Sequence, residues 1–499
     1  MVNKKVIIIG GGVSGLSTAI YLKKHGYDTL VIEKNPQIGG ACTGWERKGC
    51  YIDGSIHWLV GVNPRSSTYK LWEDVGALSP DVKIFEQDDF YTLDFGKDKI
   101  FTLWSDLNKL QKELTEFAPE DEKAIKKFCK LVKRFERIDA PVKKPVDLMN
   151  LIDLCKIGLT MAGDYYYVSK MSKLSCADYA KNFKNPYIRR WLSEHMTADY
   201  NMMSFLYMFS HVTCKNGGIP QGGSKAFAER IKDKYLNLGG QLLCNTSVEK
   251  INVLDGVASG VTLESGEIIN GDWVVSAVPA EHTLKKLLGN NFSIKKIDER
   301  LSNEKTYPIY TYTTVAFMVK DCLDSEPLSH KIYFDNPITL DKEHYSVTFR
   351  NYSYDKTLKA PKGCCVVQAT VSGNDNMFYY WEKVKKQGNY KEQKQKLAKE
   401  IVDIYLTRYP NLKDKIEIID VLTPLTYQRY LNGRHGSFQG FVQTSKGKSL
   451  MHSGKINGLK NFLLSGQWLL RSGGLPPAVI TGRFTAQRIC KRDKIKFST

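Results

Sequence analysis

The stretch Lys5-Val6-Ile7-Ile8-Ile9-Gly10-Gly11-Gly12-Val13-Ser14-Gly15 decides the fold. Its β-branched run is the kind buried in a parallel sheet, where both faces are covered. The glycines that follow have the spacing G-x-G-x-x-G. Leu16–His25 then reads as a helix ended by Gly26, and Asp28–Ile32 as a second strand with Glu33 at its tip. Each part has a task in binding a dinucleotide. Gly10 permits the tight turn, Gly12 lets the backbone approach a pyrophosphate, and Gly15 lets helix and strand pack closely. Val13 and Ser14 stand at the helix N-terminus, whose free N–H groups and positive dipole end attract that pyrophosphate. Glu33, eighteen residues beyond Gly15, can accept hydrogen bonds from ribose hydroxyls and disfavours a 2′-phosphate.

This unit alone does not separate FAD from NAD; its continuation does. Lys34 leads to Gly39-Gly40-Ala41-Cys42, and a glycine pair just beyond the acid lets the chain run close beneath an extended dinucleotide. Gly49-Cys50-Tyr51-Ile52-Asp53-Gly54 and Ile56-His57-Trp58 follow. Here the sequence resembles the amine oxidase and phytoene desaturase superfamily of FAD proteins. Within it, the likeness is to the branch of carotenoid desaturases, carotenoid isomerases and retinol saturases. Glu33-Lys34, Gly39-Gly40 and the Gly49, Asp53, Gly54 series carry the likeness, the last with slightly altered spacing. Ile56-His57-Trp58 and Gly61 are similar to an Ile-His-aromatic segment of retinol saturases. Many relatives carry Arg after the glycine pair, where this chain has Ala41, so a charge beside the flavin is missing.

The chain then leaves the nucleotide-binding unit and returns to it twice. The first return opens at Gly217-Gly218-Ile219-Pro220-Gln221-Gly222-Gly223-Ser224, with a helix to about Leu238, a strand near Gln241–Cys244, a hairpin through Gly256–Thr262 and a closing strand Trp273–Val278. The resemblance implies that Val248 meets the adenine end through its backbone and that Ala277 lies beside the cofactor. The second return is Asn461–Trp468, then Gly473-Gly474-Leu475-Pro476-Pro477 and a helix to about Cys490. Its helix N-terminus suits a flavin or its ribityl-phosphate arm. Relatives often place Gly-Asp at Gly466-Gln467; the neutral amide of Gln467 can still bond a phosphate or ribityl group.

The expected fold is α/β: a discontinuous Rossmann-like FAD-binding domain plus an α+β substrate domain with a mixed sheet and a helical insertion. The expected boundaries give FAD-domain pieces at 1–75, 216–295 and 456–499. Substrate-domain strands fall at 76–105, a mostly helical region at 106–215, and the rest of the substrate domain at 296–455. The Met- and aromatic-rich stretches 147–171 and 196–210 fit either ordinary core or a long apolar tunnel for a lipid or polyene.

Net charge is +19, with no zinc-finger spacing or RNA-binding signature, which argues against nucleic acid. A basic surface also suits weak contact with an anionic membrane. Eleven cysteines show no CxxC pair or metal-ligand spacing, and Val6–Gly15 does not fit a secretory leader, so reduced thiols in a cytoplasmic protein are expected and no metal site is.

Taken with the resemblance, these features imply an FAD-dependent oxidoreductase acting on carbon–carbon bonds of an apolar isoprenoid, carotenoid, retinoid or lipid. His57 is the first candidate for the accompanying proton transfer; His211 and Cys214, just before the first return, are further candidates. No second strand-linked G-x-G-x-x-G occurs, so an external electron donor or acceptor is expected. Amine or porphyrinogen oxidation is the alternative chemistry. An escort or GDI-like lipid carrier without turnover is the alternative of another class, disfavoured by the intact glycines and Glu33.

Overall fold

A computed structural model describes residues 4–138, 141–197, 199–471 and 473–498. Five short parallel strands form its nucleotide-binding sheet, in the order Gln241–Leu243, Asp28–Ile32, Lys5–Ile9, Trp273–Ser276 and Phe462–Leu464. Neighbours in this sheet come from three distant parts of the chain, with Ile9 paired to Ser276 and Val275 to Leu463. Val6, Ile7 and Ile8 in the central strand are wholly buried, as its β-branched composition requires. The helix Val13–Lys24 packs against Leu475–Arg492, the long helix of the last chain segment. Ser465 Oγ lies 2.8 Å from Ser14 Oγ and 3.3 Å from Thr18 Oγ1, fastening the first and last segments together beneath the sheet tips.

A second, seven-stranded sheet is mixed. Thr311–Val319, Ser329–Thr339, Glu343–Asn351, Cys365–Gly373 and Ile416–Leu422 pair antiparallel with one another. Asp89–Asp94 joins them parallel to Ser329–Thr339, and Ile100–Trp104 closes the edge. Among the described residues, seven α-helices between Leu107 and Thr213 cover one end, with Ile125, Phe128, Val132 and Phe135 buried at helical spacing. The fold is thus the α/β arrangement expected, a discontinuous Rossmann-like unit joined to an α+β part.

The strand Ser329–Thr339 and the helix Asp375–Lys386 are among the elements not anticipated. The glycine-loop helix also starts at Val13 rather than Leu16, which brings its first turn up to the loop.

Candidate FAD and substrate site

The glycine turn is tight. Gly10 adopts φ +101°, and a Cβ on Gly15 would lie 1.9 Å from the Gly10 carbonyl oxygen. A Cβ on Gly12, by contrast, meets nothing nearer than 3.8 Å. The helix is therefore drawn against the turn at Gly15 and left open above Gly12, where the first-turn N–H groups have no helical acceptors. Glu33 is buried, its Oε2 accepting from the Gly11 N–H at 2.8 Å and its Oε1 from the Asn35 N–H at 2.9 Å. Those bonds fix the carboxylate at the strand tip and leave lone pairs for a ligand.

These groups open into one cavity of about 1350 Å³. Gly10, Gly12, Val13, Ser14, Glu33, Lys34, Gly39, Gly40, Ala41, His57, Trp58, Val248, Ala277, Gly466, Gln467, Gly474, Leu475 and Pro476 all line it. Gly15 does not; it shapes the loop from behind. Gln467 lines the wall, yet its Oε1 accepts from the Gly474 N–H at 2.6 Å and its Nε2 donates to the Phe438 carbonyl at 2.9 Å. The amide expected to bond a cofactor is engaged in bracing the Gly474 loop. Lys34 is similarly committed, donating to the Arg429 carbonyl and to Asn432 Oδ1 at the end of the helix Pro424–Leu431.

Away from the glycine loops the walls turn aromatic and thioether-rich: Phe90, Tyr91, Tyr200, Met203, Tyr207, Met208, Tyr310, Tyr312 and Phe438. Tyr312 stacks on Phe438 at 4.3 Å, and Tyr310 meets Tyr312 edge-on at 4.9 Å. Tyr310 and Tyr312 share a face of the strand region beginning near Thr311, and that two-residue alternation was visible in the sequence. The stretch 196–210 divides between core and cavity wall, Phe205 and Phe209 being fully buried and Met203 and Tyr207 facing the cavity.

His57 faces this cavity with its Nδ1 buried and without a hydrogen-bond partner. Burial, and then the nearby Arg350 guanidinium, hold its imidazole well below the usual histidine range, so it is neutral at neutral pH. The other two candidates for proton transfer are corrected by the structure. His211 and Cys214 do not line the cavity. Both sit at the end of the helix Met202–Thr213, where His211 packs edge-on to Tyr207 at 4.5 Å and its Nδ1 lies 3.2 Å from Asn216 Nδ2. Cys214 faces the His211 carbonyl, with burial pushing its thiol up.

Asp53 is the strut of the site. Its carboxylate accepts from the Ser224 N–H and hydroxyl at 2.7 and 2.6 Å, from the Ser55 and Ile56 N–H groups, and from the Tyr51 hydroxyl. It ties the Gly54 turn to the Gly222-Gly223-Ser224 loop. Burial pushes this carboxyl up, and the donors at Ser224, Ser55 and Tyr51 pull it back.

His195, also on the cavity wall, is held by burial at about 3. Because His57 and His195 bind a proton only in the unfolded chain, stability is full above an unfolded-state pKa of about 6.5 and falls as pH drops below it. The expected slope is up to about 1.4 kcal/mol per pH unit for each histidine. Melting temperatures from pH 7.5 to 5 check this; a His195→Phe variant should melt with a shallower pH dependence.

A strand–glycine loop–helix unit with a buried acid at the next strand tip, opening into an aromatic cavity, is the arrangement of a flavin-dependent oxidoreductase. A sequence profile of flavin containing amine oxidoreductases matches residues 13–376, and the chain belongs to that family, with FAD as cofactor. The phytoene desaturase (lycopene-forming) of a Paracoccus strain is 23% identical over 97% of both chains. The human all-trans-retinol 13,14-reductase is 24% identical over 87% of this chain and 77% of its own. Among solved structures, an oxidoreductase from Methanosarcina mazei aligns with a TM-score of 0.61 at 14% identity, covering 97% of this chain and all of the other.

Proposed function

We propose that this FAD-dependent oxidoreductase adds, removes or moves double bonds in an apolar isoprenoid, carotenoid, retinoid or other lipid. The observation that carries this reading is the continuity of one cavity from the dinucleotide-type loops to walls of tyrosine, phenylalanine and methionine. Long flexible thioethers and flat rings suit an extended polyene. Relatives named as a phytoene desaturase and a retinol reductase support the same substrate class.

Gly10, Gly12, Val13 and Ser14 would hold the pyrophosphate, Glu33 the ribose and the backbone at Val248 the adenine end. Gly39, Gly40 and Ala41 would run beneath the dinucleotide, with Ala277, Gly466, Gly474, Leu475 and Pro476 towards the flavin. Gln467 and Lys34 act as braces for that cradle. We assign 1–75, 216–295 and 456–499 to the FAD-binding domain and the intervening segments to the substrate domain. Bound FAD supplies hydride and electron exchange with the substrate. The protein's part is to exclude water with its aromatic wall and to hold a proton acceptor, neutral His57 Nδ1, at the cavity face. Electrons pass to or from an external donor or acceptor.

Incubating the holoenzyme with carotenes, retinoids, unsaturated fatty acids and amines tests this directly. A polyene product differing by two hydrogens, or of unchanged mass with a shifted double bond, is expected. Amines as the sole transformed compounds would overturn the proposal in favour of amine oxidation.

We also infer cytoplasmic residence with peripheral membrane contact. Eleven unpaired thiols support the first. Among the described residues, no helix is long and apolar enough to cross a membrane. Supporting membrane contact, the helix Leu151–Met161 turns Asp153, Lys156 and Ile157 towards the cavity and exposes Leu151 and Leu159 by 77% and 79%. The Met- and aromatic-rich stretch beginning at 147 thus supplies a cavity rim more than an interior. The protein is expected to float with anionic liposomes at low salt, and a Leu151→Ser, Leu159→Ser variant to stay in the soluble fraction. Equal flotation of the two proteins would remove this contact.

A further inference from the structure

The described residues include four buried arginines: Arg300, Arg350, Arg483 and Arg488. Arg488 pairs with Asp147 at 2.7 Å and Arg483 with Asp74 at 3.3 Å, while Arg300 donates to the Lys296 and Lys448 carbonyls. Arg350 differs. It is 8% exposed, lines the cavity, and no described carboxylate pairs with it. Its hydrogen-bond partners are two hydroxyls, Ser329 Oγ at 3.0 Å and the Tyr91 phenol, whose ring lies 5.3 Å from the guanidinium. A buried guanidinium without a counter-charge is costly unless a bound group completes it.

The phenol beside it is also free to bond a ligand. Tyr91, accepting from Arg350, keeps its own hydroxyl hydrogen to donate. The cavity around them is aromatic: Tyr310, Tyr312 and Phe90. What fits a fixed cation with a phenol donor at its side in such a wall is a carboxylate carried on an apolar body.

We infer that Arg350 and Tyr91 form a carboxylate subsite, so that the substrate of the reaction proposed above is an apolar acid rather than a hydrocarbon. The inference rests on that proposed function and narrows it. Arg350 is the specificity-determining residue, reading the head group while the aromatic wall takes the chain.

The test uses the FAD-loaded protein and three probes with one carbon skeleton: retinoic acid, methyl retinoate and retinol. Quenching of tryptophan fluorescence reports binding. Retinoic acid is expected to bind roughly tenfold or more tightly than its methyl ester, the effect of one charge-assisted hydrogen-bonded pair. Arg350→Met should erase that preference while leaving ester affinity in place, and Arg350→Lys should keep part of it. Flavin content and melting temperature report whether either variant folds; the wild-type comparison of acid with ester decides the matter without them.

Equal affinity for acid and ester would overturn the subsite and leave the polyene reading intact. Arg350→Met weakening acid and ester alike would do the same. A changed flavin midpoint potential in Arg350→Met with no acid preference would overturn it too, assigning the cation to the reduced flavin. Binding of none of the three polyenes, with amines bound instead, would remove the proposed function and the subsite together.

Discussion

Replacing Gly15 with alanine is expected to give protein that retains no FAD and melts well below the wild type. The new methyl would lie 1.9 Å from the Gly10 carbonyl oxygen and 3.3 Å from Ala277 Cβ. A backbone oxygen cannot swing aside as a side-chain tip can. Gly10, at φ +101°, is itself fixed in a conformation that other residues rarely adopt. The helix Val13–Lys24 must therefore lift away from the sheet, at a cost of about 1–3 kcal/mol or more for overpacking. Its first-turn N–H groups then withdraw from the cavity. Gly12→Ala is the informative contrast: its methyl meets only Gly39 and Gly40 backbone at 3.8 Å and beyond. That variant should fold normally and lose FAD only by filling the space above the loop. Flavin-to-protein absorbance ratios and thermal melts separate the two, and a fully flavinated Gly15→Ala protein would contradict the geometry.

Asp53→Ala is expected to cost about 3–5 kcal/mol, because several buried donors converge on one carboxylate. Its removal orphans the Ser224 and Ser55 N–H groups and the Ser224 hydroxyl at once, and leaves the Ile56 N–H only its bond to Ser224 Oγ. Asparagine is no rescue. Both carboxylate oxygens accept from backbone N–H groups, so either amide orientation points an NH2 at a donor. Chemical denaturation of the two variants measures the loss. An Asp53→Asn protein as stable as wild type would show that these bonds contribute little.

The glycine loop was legible because its demands are local. A tight turn, a close helix approach and a strand-tip acid each need one residue type at one spacing, and Gly10, Gly15 and Glu33 stand where those demands fall. The two later returns were legible for a similar reason: Trp273–Ser276 and Phe462–Leu464 are short apolar runs ending at a turn. Ser329–Thr339 was hidden because His330, Lys331 and Pro337 break its apolar pattern. Asp375–Lys386 was hidden because four consecutive aromatics, Phe378, Tyr379, Tyr380 and Trp381, read as strand.

The chemical half of the site was less legible. Nearness in sequence to Gly217 suggested His211 and Cys214, but the helix end carries both away from the cavity. His57 lines the cavity because it follows directly on the segment braced by Asp53. Arg350 gave no signal at all: a lone arginine in a strand looks exposed, and only the neighbouring strands bury it.

The most direct measurement is anaerobic mixing of the oxidised and the dithionite-reduced holoenzyme with a polyene, followed at the flavin absorption bands. Bleaching of the oxidised flavin, or return of colour to the reduced flavin, at a rate that saturates with polyene concentration is the expected result. A flavin left unchanged by every polyene and bleached by an amine would contradict the account.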